Sequence, residues 1–134
     1  MPCKDAASNM IIRLDHQDRF ISFEFSKMTG GSLRNRETGF QHYCRGKNVF
    51  EILDYNFPDL VCALHLEKEE QQYILYLEWD ALRASLAVFF GIEKTNVDSE
   101  RCLITSVQHD EDGITISEII LPPRDLPDLA PRPA

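Results

Sequence analysis

Apolar residues alternate with polar ones at two places near the start of the chain. In FISFEFS, Phe20–Ser26, the period of two puts Ile21, Phe23 and Phe25 on one face and Phe20, Ser22, Glu24 and Ser26 on the other, which predicts a half-buried strand. MIIRLD, Met10–Asp15, is a shorter strand of the same kind, and His16–Arg19 between them suits a hairpin loop. The two are therefore expected as antiparallel neighbours. The same alternation returns at Arg101–His109 and Ile114–Leu121, separated by Asp110-Glu111-Asp112-Gly113, a turn in which the glycine can supply a positive φ.

Between these strands the spacing becomes helical. Ser32 is placed to N-cap a helix opening at Leu33 and running through Phe40 and Tyr43 to Arg45, with Gly46 as its C′ residue. Gly39 falls inside that helix and weakens it by about 1 kcal/mol relative to alanine. Asn48 caps a short helix over Val49–Leu53, and Pro58 suits the first turn of another ending at Leu64. The strongest helix is Lys68–Phe90, where Ile74, Leu77, Ala81, Leu82, Leu86 and Phe89 recur at helical spacing until Gly91 stops it. Tyr76 and Trp79 on this helix are expected to serve packing.

The order strand, strand, helices, long helix, strand, strand predicts an α+β fold, a small antiparallel sheet with helices packed on one face and a C-terminal β-hairpin. A single domain over residues 1–121 is expected, with the hairpin at 101–121. Residues 122–134 hold five of the chain's seven prolines and read as an extended Pro-rich tail, unable to join a helix or a central strand.

Composition narrows the partners. Of 134 residues, 14 are Lys or Arg and 22 are Asp or Glu, for a net charge of −8, so nucleic acid and anionic membrane surfaces are disfavoured. No apolar run reaches the roughly 20 residues of a membrane span, and MPCKDAASN lacks the apolar core of a signal peptide, so the expected location is the cytoplasm. In a reducing compartment Cys3, Cys44, Cys62 and Cys102, none of them in a CxxC pair, are expected as free thiols. Cys44 lies far down its helix, while Cys62 and Cys102 read as buried structural thiols. His16, His42, His65 and His109 form no metal-binding pair and are expected at surfaces and helix ends. No nucleophile motif is present, so the chain is not expected to be an enzyme.

The ordered set of motifs resembles the NifU/IscU-type iron–sulfur cluster scaffold family over about Ala6–Ile92. It comprises the strand opening on Met10, the strand ending FEFSKMTGGS, Gly46-Lys47 before Val-Phe-Glu-Ile-Leu, Pro58–Leu64, and Asp80-Ala81-Leu82-Arg83-Ala84-Ser85-Leu86. The resemblance implies a pocket near the end of the sheet where three cysteines, helped by an aspartate, hold a nascent cluster. Thiolates suit iron and sulfide because they are soft and anionic, and a helix N-terminus beside the central one favours negative charge.

Aligned on these motifs, the three ligand positions fall on Ala6, Gly30 and Ile74, whose side chains cannot bind iron. The family's Leu-Pro-Pro-Val-Lys chaperone handle is replaced by the charged and polar Glu67–Gln72. SufE-type sulfur acceptors, which share the fold, need a cysteine where Gly30 stands. The resemblance thus implies a degenerate ligand pocket, Ala6, Gly30, Gly31, Ser32 and Ile74. The expected function is that of a non-catalytic accessory protein of iron–sulfur or sulfur-transfer machinery, without cofactor, its partners being proteins and a homodimer being one assembly open to it. Two competing readings remain. One is an iron, cluster or persulfide site built with Cys3 or across a dimer. The other is a small anion held at the Gly30-Gly31 turn with help from Arg34 and Arg36.

Overall fold

A computed structural model of the chain describes residues 8–27, 38–93 and 97–121. The expected α+β architecture is present. Strands β1 (Ser8–Leu14), β2 (Phe20–Lys27), β3 (Cys102–Asp110) and β4 (Gly113–Ile120) form one antiparallel sheet in the order β2-β1-β4-β3. Helices α1 (Phe40–Cys44), α2 (Val49–Leu53), α3 (Phe57–Ala63) and α4 (Glu69–Phe90) lie between the two hairpins in sequence. The C-terminal hairpin is thus half of the sheet, since β4 pairs with β1 along its whole length, from Ser8↔Ile120 to Leu14↔Ile114.

One face of the sheet carries the core. Met10, Ile12 and Leu14 of β1, Phe20 and Phe23 of β2 and Ile116 and Ile120 of β4 are buried with Leu75, Leu82 and Leu86 of α4 and the apolar sides of the short helices. The opposite face is more open, with Asn9 and Arg13 exposed and Ile11, Ser117 and Ile119 half-buried. Among the described residues, no helix is long and apolar enough to cross a membrane.

The simple alternation expected for β2 does not hold. Arg13 faces Ser22 while Leu14 faces Phe20, so Ile21 is an extra residue in β2. Such a bulge shifts the side-chain pattern by one. Phe20 and Phe23, expected on opposite faces, are both buried, with ring centroids 5.8 Å apart, and Phe23 packs on Phe40 of α1 at 6.3 Å.

The helix expected across Leu33–Arg45 is also corrected where it is described. Gly39 has φ 86°, a left-handed conformation incompatible with a helix interior, and stands as the N-cap of α1, which begins at Phe40. Gly46, with φ 82°, does follow the helix as expected. Asn48 caps α2 by accepting the Phe50 N–H (2.9 Å), and α3 has Pro58 in its first turn with Asn56 accepting the Asp59 N–H (2.9 Å). Gly91, with φ 67°, closes α4 as the pattern required.

The two sheet edges differ. The outer edge of β2 is occupied: Phe23 N–H donates to Gln41 Oε1 (2.9 Å), Phe20 N–H to the Lys47 carbonyl (2.9 Å), and Gly46 N–H to the Phe20 carbonyl (2.8 Å). Among the described residues, β3 pairs with β4 alone. Its ladder carries an irregularity at Thr105, between Ile104 and Ser106.

Gly113 is the most closely approached of the described glycines. Its φ is 147°, and a side chain's Cβ there would collide with the Leu14 carbonyl oxygen. The β3–β4 turn therefore presses on the end of the central strand. Gly113→Ala is expected to lower stability by at least about 2 kcal/mol, read from urea unfolding midpoints. A change below about 0.5 kcal/mol would contradict this close approach.

Candidate functional site

Of the pocket implied by the family resemblance, Ile74 alone lies within the described residues; it is buried on α4. Ala6, Gly30, Gly31, Ser32, Arg34, Arg36 and Cys3 lie outside them. Ser8 and Lys27, the first residue of β1 and the last of β2, are directly paired. One helical turn beyond Ile74, Glu78 Oε1 accepts the hydroxyl proton of buried Thr38 at 2.7 Å, and Thr38 Oγ1 accepts the Phe40 N–H at 3.2 Å. Thr38 therefore ties the start of α1 to the middle of α4, a link that the residue pattern did not single out.

The described cysteines are not assembled into a ligand set. Cys44 is buried, and loss of water around it pushes its thiol up to about 12. Cys102 is half-buried and burial raises it to about 11, opposed in part by a hydrogen bond with Ser85. Both thiols stay protonated at neutral pH, unsuited to nucleophilic attack or to ligation without losing that proton. Cys62 departs from expectation: it is exposed, because α3 turns Leu60 and Val61 inward instead. Among the described residues, no group of three or more His, Cys, Asp or Glu could hold a metal ion.

The histidines are at the surface as expected. His16 Nε2 lies 2.9 Å from the Glu111 carbonyl oxygen, joining the two hairpin loops, and His42, His65 and His109 are exposed. Trp79 and Tyr76 do pack as expected, in a cluster with Phe57, the Phe57–Trp79 and Tyr76–Trp79 centroids being 5.7 and 5.8 Å apart. Trp79 Nε1 donates to the Tyr55 carbonyl (3.1 Å), and the Arg83 guanidinium covers the Trp79 ring at 4.8 Å while Arg83 Nε donates to the Leu53 carbonyl (3.0 Å). Arg83 thus satisfies a carbonyl at the C-terminus of α2, where a cation is also favoured by the helix dipole.

The chemically unusual part of the fold lies where α4 meets the C-terminal hairpin. Arg101, the last residue of a 3₁₀ turn over Ser99–Arg101, is buried and forms an ion pair with Asp80 of α4. Its Nε donates to the Leu121 carbonyl (2.9 Å), and Leu121 N–H returns a bond to the Arg101 carbonyl (2.8 Å). This network fixes both ends of the hairpin against α4. Next to it, Ser85 of α4 is fully buried, with its Oγ 3.9 Å from Met10 Sδ and 3.7 Å from Cys102 Sγ.

Glu118 completes this group. It is 2 % exposed, and neither carboxyl oxygen has a well-formed hydrogen bond among the described residues. Burial pushes its carboxyl up to about 8, against a smaller lowering by Ser85 nearby. The signal for this residue was present in the sequence: period two along β4 places Glu118 in line with Ile116 and Ile120.

Comparisons with family models, curated proteins and solved structures find no match for this chain.

The raised Glu118 carboxyl links stability to pH. Between about 4.5, its ordinary value, and about 8, the folded chain keeps a proton that the unfolded chain has released. Stability from this group therefore falls as pH rises through that window, and the whole penalty is present above it. The urea midpoint of the native chain is expected to fall from pH about 5 to pH about 8, with the slope much reduced in Glu118→Gln. Equal slopes in the two proteins would show that Glu118 is not held neutral.

Proposed function

We propose that this chain is a non-catalytic interaction protein, related to the NifU/IscU-type scaffolds, that binds protein components of iron–sulfur or sulfur-transfer machinery and holds no cluster itself. The ordered motifs from Met10 to Leu86 support the kinship, and Ala6, Gly30 and Ile74 at the ligand positions support the loss of the cluster.

The observation that carries the interaction reading is the outer edge of the C-terminal hairpin. Leu103 (64 % exposed), Val107 (37 %) and Leu121 (49 %) are three of the five exposed large hydrophobic residues among those described. They sit on or beside β3, whose first seven residues, Cys102–Gln108, carry no charge. Among the described residues no strand pairs with the outer side of β3, and an edge strand of this kind with apolar side chains is suited to receiving a partner's extended segment. The chain's net charge of −8 favours a basic partner surface around that contact.

The test is binding of the purified full chain to a purified cysteine desulfurase and to a cluster-bearing scaffold protein, measured by calorimetry. Binding to one of them is expected, weakened about tenfold or more, roughly 1.4 kcal/mol, by Leu103→Lys with Val107→Lys. Circular dichroism checks that the double variant retains the fold. Absence of binding to both, or binding unaffected by the double variant, would refute the proposed docking.

A further inference from the structure

The carboxyl of Glu118 sits in the seam between α4 and the sheet. Met10 of β1 is its direct neighbour on one side and Ile104 of β3 on the other. Ser85 of α4 faces it from above, and Ser85 also meets the Met10 and Cys102 sulfur atoms. Cys102, the first residue of β3 and the partner of Ser85, is half-buried. Glu118 itself is enclosed.

Among the described residues, no charge stabilises an ionised Glu118. On α4, Asp80 is paired with Arg101, and Ser85 is neutral. On β3, Cys102 carries the nearby titratable thiol, which burial keeps protonated and which therefore supplies no counter-charge. At the entrance to β3, Arg101 is engaged by Asp80 and the Leu121 carbonyl, and burial and Ser85 are the influences on the Glu118 carboxyl, with no cation among them. Met10 on β1 and Ile116 and Ile120 on β4 add apolar surface. Among the described residues, a carboxylate formed in this place has no counter-charge and incomplete hydrogen bonding, and the way to solvate it is to admit water.

We propose that Glu118 is a proton-operated latch on the seam between α4 and β3: protonated, it keeps the seam closed and dry; ionised, it draws water in past Cys102 and loosens β3 from α4. The Arg101–Asp80 pair lies at the same entrance and holds the start of β3 while the seam opens beyond it. β4 stays in place because it is paired on both sides, with β1 and β3. The latch consequently acts on the sheet's outer strand and leaves the central ladder intact.

The test is a pH titration of the full chain by nuclear magnetic resonance, following the side-chain carboxyl carbon of Glu118 together with the backbone amides of Cys102–Ile104 and of the α4 turn around Ser85. The expected result is a carboxyl midpoint near 8, with these amides shifting at the same midpoint and those of Ile11–Arg13 in β1 remaining still. In Glu118→Gln the amide transition should disappear. A carboxyl midpoint in the ordinary range of about 4 to 5 overturns the proposal. So does a raised midpoint with β3 amides that do not follow it, because the group would then be a silent buried acid. The native chain alone decides both points if the variant fails to fold.

Discussion

Strand β1 is the member on which the rest of the fold depends. It pairs with β2 on one side and β4 on the other, so it joins hairpins formed at opposite ends of the described chain. Closing β1 on β2 costs little, because the loop between them is short and Asp15 Oδ1 orders it by accepting the Gln17 and Arg19 N–H groups at 2.8 and 2.9 Å. Pairing β1 with β4 brings together residues about a hundred positions apart, and the loss of chain entropy must be offset by burial. Helix α4 supplies that burial. Leu75, Leu82 and Leu86 join Met10, Ile12, Ile116 and Ile120 in one core across the β1–β4 ladder.

This arrangement explains why the polar exceptions gather where they do. The hairpin arrives last in sequence and must be held against a helix whose apolar face is already shared with β1 and the short helices. Arg101 and Asp80 hold its two ends together through an ion pair and the paired Arg101–Leu121 backbone. An ion pair buried in this way contributes little net stability when intact, yet removing one partner strands the other charge in the interior. Its effect is therefore on where β3 begins. Glu118 lies beyond it on an inward position with no such partner among the described residues, so its carboxyl is a costly group to ionise there.

Much of the fold was legible because local chemistry and tertiary structure agree. Asn48, Pro58, Gly46, Gly91 and the Asp110–Gly113 turn each work through backbone geometry that a few adjacent residues determine. The failures involve decisions made at a distance. Ile21 becomes an extra residue because Leu14 must meet Phe20 while Arg13 meets Ser22, and no local feature of FISFEFS announces a bulge. Gly39 looked like a costly helix residue, whereas its left-handed φ of 86° serves to start the helix there. Cys62 follows an apolar spacing, but Leu60 and Val61 take the inward positions of so short a helix. Ala6, Gly30, Gly31, Ser32, Arg34 and Arg36 lie outside the described residues, and the one described position of that set, Ile74, is on the same helix as Ser85, eleven positions before it.

The central claim is that a chain with this fold acts through its surface and carries no cluster. Anaerobic reconstitution of the untagged full chain with iron and sulfide, followed by desalting and metal and sulfide analysis, addresses it most directly. The account predicts iron and sulfide far below one equivalent per chain and no visible charge-transfer absorbance. A stoichiometric cluster that survives desalting and is lost in Cys3→Ala would contradict it and establish a site built on the remaining N-terminal thiol.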